Sequence, residues 1–136
     1  MTKTCVLDAN AILDFLEAGP GFGTVERLLK EVLQQKRTVL VASMNWGEVF
    51  YHLWQNRGED KARQTIAALS RLPLQIVPVD VALGLKAAEV KAVHKIPYVD
   101  CVAAALAESS RATLVTSDRD FEKLGRRVQI LWTRRP

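Results

Sequence analysis

The sequence predicts an α/β domain: a parallel sheet with helices on both faces. Two observations carry that expectation. Five short apolar runs, "TCVL" (4–7), "TVLVA" (38–42), "LQIVPV" (74–79), "ATLVT" (112–116) and "VQILW" (128–132), are continuous and rich in Val, Leu and Ile. That is the composition of strands covered on both sides. Segments with a helical apolar period separate the runs, and strands that alternate with helices pair in parallel through right-handed crossovers.

The elements follow in order. The first run ends on Asp8 and an amphipathic segment, 11–17, begins almost at once. A carboxylate is a costly stop for a buried strand, since glycine or serine turns the chain without desolvating a charge. A second helix, 24–35, sets Val25, Leu28, Leu29, Val32 and Leu33 on one stripe, and "AGPGFG" (18–23) turns between the two. Segment 45–56 places Trp46, Val49, Phe50, Leu53 and Trp54 at helical spacing. Its opening, "NWGE" (45–48), reads as a capping box with Asn45 as N-cap and Glu48 at the third helical position. "QNRGED" (55–60) is another turn, leading to helix 59–71. Helices 81–94 and 98–109 follow the third strand, the latter begun by Pro97, and a short helix starts near Asp118. Repeats, low-complexity stretches and linkers are absent, so residues 1–136 are expected to form a single domain.

Composition narrows the function. At 136 residues the chain can bury a full core, and 49% hydrophobic with 25% charged residues is ordinary for a globular protein. No apolar run approaches the roughly 18 to 20 residues of a membrane helix, and the N-terminus carries no signal-peptide pattern, so a cytoplasmic protein is expected. Cys5 and Cys101 lie in apolar contexts without a CxxC spacing and read as buried thiols in a reducing compartment. Nineteen basic against 15 acidic residues give +4, a balance that permits a polyanionic partner. Arg126, Arg127, Arg134 and Arg135 cluster near one end, and Lys86, Lys91 and Lys95 along "LKAAEVKAVHK", although each cluster alone also suits a solvated face. "GPGFG" follows a helix, not a strand, and no GK[ST] is present, which removes Rossmann and P-loop sites. "EVFYH" is not HExxH, and two histidines with separated cysteines make poor zinc ligands.

The acids are more specific. Ligands of open parallel sheets bind at the carboxyl ends of the strands. Asp8 ends the first strand and Asp118 lies just past "TLVT", so the two meet if those strands are neighbours. Each can equally be a helix cap. Asp100 is one turn into its helix, in line with Ala103, Ala104 and Ala107, a stripe suited to close packing on the sheet. A first-turn dipole contact is worth about 0.3–1 kcal/mol, less than the several kcal/mol that burying an unpaired carboxylate costs, so Asp100 calls for a cation. Glu48 faces away from the apolar stripe of its helix, at the same sheet edge, where capping and metal work are compatible. Four carboxylates without histidine or thiolate make a hard oxygen site for Mg²⁺ or Mn²⁺, of the kind that activates water against a phosphodiester.

Taken together, "VLDANAIL", "SMNWGEVFYHL", "LKAAEVKAVHKIPYVDCVAAALA" and "LVTSDRDFEKL" resemble, in order and spacing, the PIN domain and within it the VapC-type toxins of toxin–antitoxin pairs. The resemblance spans nearly the whole chain. It implies a three-layer fold with sheet order 3-2-1-4-5 and metal-binding, catalytic acids at Asp8, Glu48, Asp100 and Asp118. Asn10 stands where relatives often carry Thr or Ser, and Asp120 matches an auxiliary acid. The activity implied is Mg²⁺- or Mn²⁺-dependent endoribonuclease action on RNA, leaving a 5′-phosphate, with a small VapB-like antitoxin as partner and a homodimer as the assembly.

Rival readings are a PIN nuclease of RNA processing outside toxin systems, a catalytically silent PIN scaffold and an acid-cluster phosphotransfer domain. A receiver-like phosphoacceptor lacks its late lysine in "LVTSD" and "VQILW", and a dehalogenase-like phosphatase needs an acid where Asn10 stands. Large apolar residues in "FLEAGPGFG" and on the helix of Trp46, Phe50 and Trp54 predict a groove for an amphipathic partner segment and a self-associating surface. Phe22 is expected in a glycine-rich turn with little periodic support.

Overall fold

The computed structural model describes residues 3–134. Arg135 of the basic cluster therefore lies outside the described residues. The strands are β1 (Lys3–Leu7), β2 (Arg37–Ala42), β3 (Gln75–Val77), β4 (Thr113–Thr116) and β5 (Ile130–Trp132). The helices are α1 (Ala9–Leu16), α2 (Phe22–Leu33), α3 (Ser43–Arg57), α4 (Glu59–Leu69), α5 (Val81–Val93) and α6 (Tyr98–Ser109). A 3-10 segment, Arg119–Arg127, is kinked at Gly125, which takes φ 57°. All strand pairs are parallel and the order is β3-β2-β1-β4-β5, as the resemblance implies.

The sheet divides two cores. Leu7, Val39, Val41 and Val115 face α1 to α4 and meet Ile12, Val25, Leu28 and Val49. Val6, Leu114 and Ile130 face α5 and α6. Every residue of α6 from Asp100 to Ala107 is buried, with Ala103, Ala104 and Ala107 fully so. Small side chains let this helix lie close to the sheet, which carries Asp100 to its carboxyl edge.

Three local expectations need correction. Helix α3 begins at Ser43, directly from β2, with Ala42 at the N-cap and no side-chain cap. Asn45 is consequently inside the helix and fully buried, Glu48 falls in its second turn, and the capping box at 45–48 does not form. Ser43 is itself engaged, its Oγ accepting the Val79 N–H at 3.1 Å. Phe22 is not loose in a turn: it opens α2 and stacks on Phe15, centroids 5.1 Å apart and planes at 3°. Strands β3 and β5 are shorter than the runs 74–79 and 128–132, β3 because Pro78 cannot donate to a ladder.

Candidate metal centre

Register brings the acids together. Leu7 pairs with Val115, so β1 and β4 end side by side. Asp8 follows β1 and is 2% exposed. Its Oδ1 accepts the Ala11 N–H at 2.8 Å, capping α1, and its Oδ2 accepts the Thr116 hydroxyl. The same hydroxyl oxygen accepts the Asp118 N–H at 3.0 Å. Thr116, fully buried, thereby fixes both acids to the end of β4. Asp118 Oδ1 accepts the Asp120 N–H at 2.9 Å and caps the 3-10 segment. Capping and site placement coexist at both aspartates.

Asp100, 8% exposed, sits in the first turn of α6, which starts from Pro97. Oxygens of Asp100, Asp118 and Asp120 lie within 4.8 Å of one another. Asp8 and Glu48 stand outside that tight group but within its field. Burial, followed by the charges of Asp118, Glu48 and Asp120, pushes the Asp100 carboxyl up to about 7. Burial also pushes Asp8 up to about 7; its hydrogen bonds from Thr116 and Ala11 oppose this, and the charges of Asp100 and Asp118 add to it. Glu48 is raised by burial and then by Asp118, while His52 eases it. Among the described residues no basic side chain forms an ion pair with Asp8, Glu48, Asp100 or Asp118; Asp120 has Lys123 at 3.8 Å.

The donor set fits a hard divalent cation. It is all carboxylate, contains neither imidazole nor thiolate, and is strained by mutual repulsion that a dication relieves. Cys5 and Cys101, free and buried, take no part, the Cys5 thiol being pushed up to about 11 chiefly by burial.

Two contributors escape a reading by motif. Thr116 reads as the last residue of an apolar strand, and nothing in the sequence sets its hydroxyl apart. Asn45 reads as a cap, whereas its Nδ2 donates to the Val99 carbonyl at 3.5 Å and braces α3 against the turn that carries Asp100. Its Oδ1 is buried without a partner. Asp120, expected as auxiliary, is one of the three acids in closest company.

Fold and edge together define a class: a five-stranded parallel α/β domain with an all-oxygen acid cluster at the carboxyl ends of its strands. The chain belongs to the PIN domain family, which it matches over residues 5–127. Among solved structures it resembles VapBC2 from Rickettsia felis, bound to a DNA fragment from its promoter, with TM-score 0.73, 17% identity and coverage of 94% of this chain and 97% of that one. DNA-bound VapBC from Salmonella typhimurium gives TM-score 0.73 at 20% identity, covering 98% and 100%. VapC20 from Mycobacterium tuberculosis, a sarcin-ricin loop cleaving toxin, gives 0.71 at 19%, covering 89% and 95%. A comparison with curated protein sequences finds no match. At these identities the likeness to the toxin structures is one of fold.

Proposed function

We propose that this chain is a Mg²⁺- or Mn²⁺-dependent endoribonuclease and the toxin of a VapBC-type pair. The observation that carries the nuclease reading is the acid edge itself: Asp100, Asp118 and Asp120 within 4.8 Å, with Asp8 and Glu48 close enough to shift with them, and no paired base on four of the five. In this reading Asp8, Asp100 and Asp118 would hold the ion, Glu48 would contribute directly or through water, and Asp120 would assist. The bound ion supplies Lewis-acid polarisation of the scissile phosphodiester.

The chain's own groups supply the rest. The Thr116 hydroxyl and the Ala11 N–H lock the Asp8 carboxylate in one orientation. Glu48, half-buried and raised above the usual carboxylate range, accepts a hydrogen bond from the attacking water and takes its proton as the new P–O bond forms. In-line displacement expels the 3′-oxygen and leaves a 5′-phosphate.

The toxin reading, with a VapB-like antitoxin, a homodimer and a cytoplasmic setting, is supported by the likeness to VapBC structures. The sequence places a partner groove between the first helices and α3; the pocket on α3 lies instead between α3 and α4. A pocket of about 390 Å³ is lined by Trp46, Gly47, Phe50, Arg63 and Ile66. The Arg63 guanidinium covers the Phe50 and Trp54 rings at 5.7 and 5.4 Å, so the groove carries its own cation. Incubation of the protein with RNA and Mg²⁺, against an EDTA control, tests the activity. Cleavage only with metal is expected; intact RNA under both conditions overturns the nuclease reading and favours a silent scaffold.

A further inference from the structure

The acids can hold an ion and a phosphate, but they offer nothing for a base. Such a surface lies next to them. The Arg119 guanidinium lies over the Trp132 ring, its Cζ 4.1 Å from the centroid. Two bonds fix its plane: Nη2 donates to the Arg134 carbonyl at 2.7 Å and Nη1 to Glu122 Oε1 at 3.3 Å. Trp132 packs against the core beneath α5 and α6, which braces the stack from below. The indole takes one face of the guanidinium, and the Arg119 side chain is 34% exposed, so part of it reaches solvent.

Register locates this stack. Trp132 pairs with Thr116, whose hydroxyl bonds Asp8, and adjacent strands are about 4.8 Å apart. Arg119 directly follows Asp118. The stack therefore lies one strand outward from the acids, towards the β5 edge. Lys123, on the same 3-10 segment, pairs with Asp120 at 3.8 Å and donates to the Lys95 carbonyl at 3.3 Å.

We propose that the outer face of Arg119, stiffened by Trp132, is a stacking subsite for the base of a nucleotide flanking the scissile phosphate of single-stranded RNA. The inference rests on the nuclease reading for its ligand class. Unstacked RNA bases are commonly held on aromatic rings or arginine planes, and such stacking tolerates any base. Tying residue 119 to the Arg134 carbonyl needs only a donor, which lysine also supplies; a flat cation on an indole is specific to arginine.

The test compares wild type, Arg119→Lys and Arg119→Ala, with melting temperatures confirming that each is folded. The probes are a short labelled oligouridylate and an abasic oligoribose phosphate of equal length, with binding read by fluorescence anisotropy and cleavage of the oligouridylate in Mg²⁺ read as KM and kcat. Arg119→Lys is expected to weaken oligouridylate binding by about tenfold, leave the abasic probe unchanged and raise KM with kcat preserved. Equal weakening of both probes reveals a phosphate contact or a purely structural role and overturns the subsite, as does wild-type affinity in Arg119→Lys. If Arg119→Lys loses base-dependent binding but wild type cleaves nothing, the catalytic reading fails and the subsite stands. If wild type does not prefer the oligouridylate over the abasic probe, the subsite fails whatever the cleavage result.

Discussion

Asp100 combines burial with the charges of three neighbouring acids, and nothing basic offsets it. Asp100→Asn keeps its shape and removes its charge. Cleavage of RNA should be abolished, while the melting temperature in EDTA stays level or rises by a few degrees; near wild-type cleavage removes Asp100 from the ligand set. The acids also set a pH dependence. Asp8 and Asp100 have pKa values of about 7 in the fold against 3.8 ordinarily, so between those values the folded chain binds more protons than the unfolded one. Their contribution to metal-free stability must therefore fall as pH rises from about 4 to 7 and level off above. Melting in EDTA from pH 5 to 8 should decline, with Mn²⁺ restoring stability at pH 8; a flat or rising profile in EDTA contradicts the burial of these carboxyls. Asp8, Asp100 and Asp118 were legible because each breaks a local expectation of apolar burial. Thr116 was not, since a threonine ending a strand satisfies β propensity and gives no sign that its hydroxyl bridges two acids.

Among the helices and their joints, two glycines separate close approach from open space. A Cβ at Gly21, between α1 and α2, would stand 2.8 Å from Thr133 Cβ and 2.9 Å from Asp14 Oδ2. Gly21→Ala should cost about 1–3 kcal/mol by overpacking. At Gly84, inside α5, a Cβ meets nothing within 4 Å, so Gly84→Ala should add about 0.5–1 kcal/mol. Denaturant midpoints of the two variants should move in opposite directions; a shared direction contradicts one of the two contact readings. Helix periods were readable because apolar stripes bury themselves: Val25, Leu28 and Leu29 of α2 are buried, whereas Leu33, expected on the same stripe, ends the helix 75% exposed. The start of α3 was misread because a favourable local pattern, Asn45 with Glu48, lost to a tertiary demand: β2 passes straight into helix, and Asn45 is needed against Val99. Edge strands β3 and β5 were over-read because apolar composition does not show where a ladder partner ends.

At the scale of the molecule, the acid edge links ion binding to folding. Millimolar Mg²⁺ or Mn²⁺ should raise the melting temperature of wild type by several degrees and that of Asp100→Asn by much less, because only the folded chain assembles the cluster. Indifference of wild type to either ion counts against a metal centre. Self-association is expected as well, though the strongest apolar exposure differs from the region around α1 and α3 that the sequence suggests. Val81, Leu85 and Val93 on α5 are 79%, 63% and 71% exposed. Sedimentation at high micromolar concentration should show a dimer that Leu85→Glu dissociates. A wild-type monomer under those conditions ends the dimer proposal, and a dimer indifferent to the substitution moves the interface away from α5. The strand order came with the family resemblance and the edge acids from their places at strand ends, while the distribution of apolar exposure depends on how helices turn in three dimensions.

The hydrogen bond between Thr116 and Asp8 joins positions 108 residues apart, and Arg134 reaches Asp14 across 120. Of the five strands the central one is thus made first, while its β4 neighbour is the fourth. From its first acid until β4 is made, the growing chain gains Asp8, Glu48 and Asp100 in turn with no β4 to gather them. The bond from Thr116 to Asp8, and the company of Asp118 and Asp120 with Asp100, therefore form only after β4 has been made. A PIN domain ordered this way completes its acid edge only after most of the chain has left the machine that makes it. Nascent chains stalled before Thr113 should then show neither cleavage nor metal-dependent protection from protease, and chains released in full should show both.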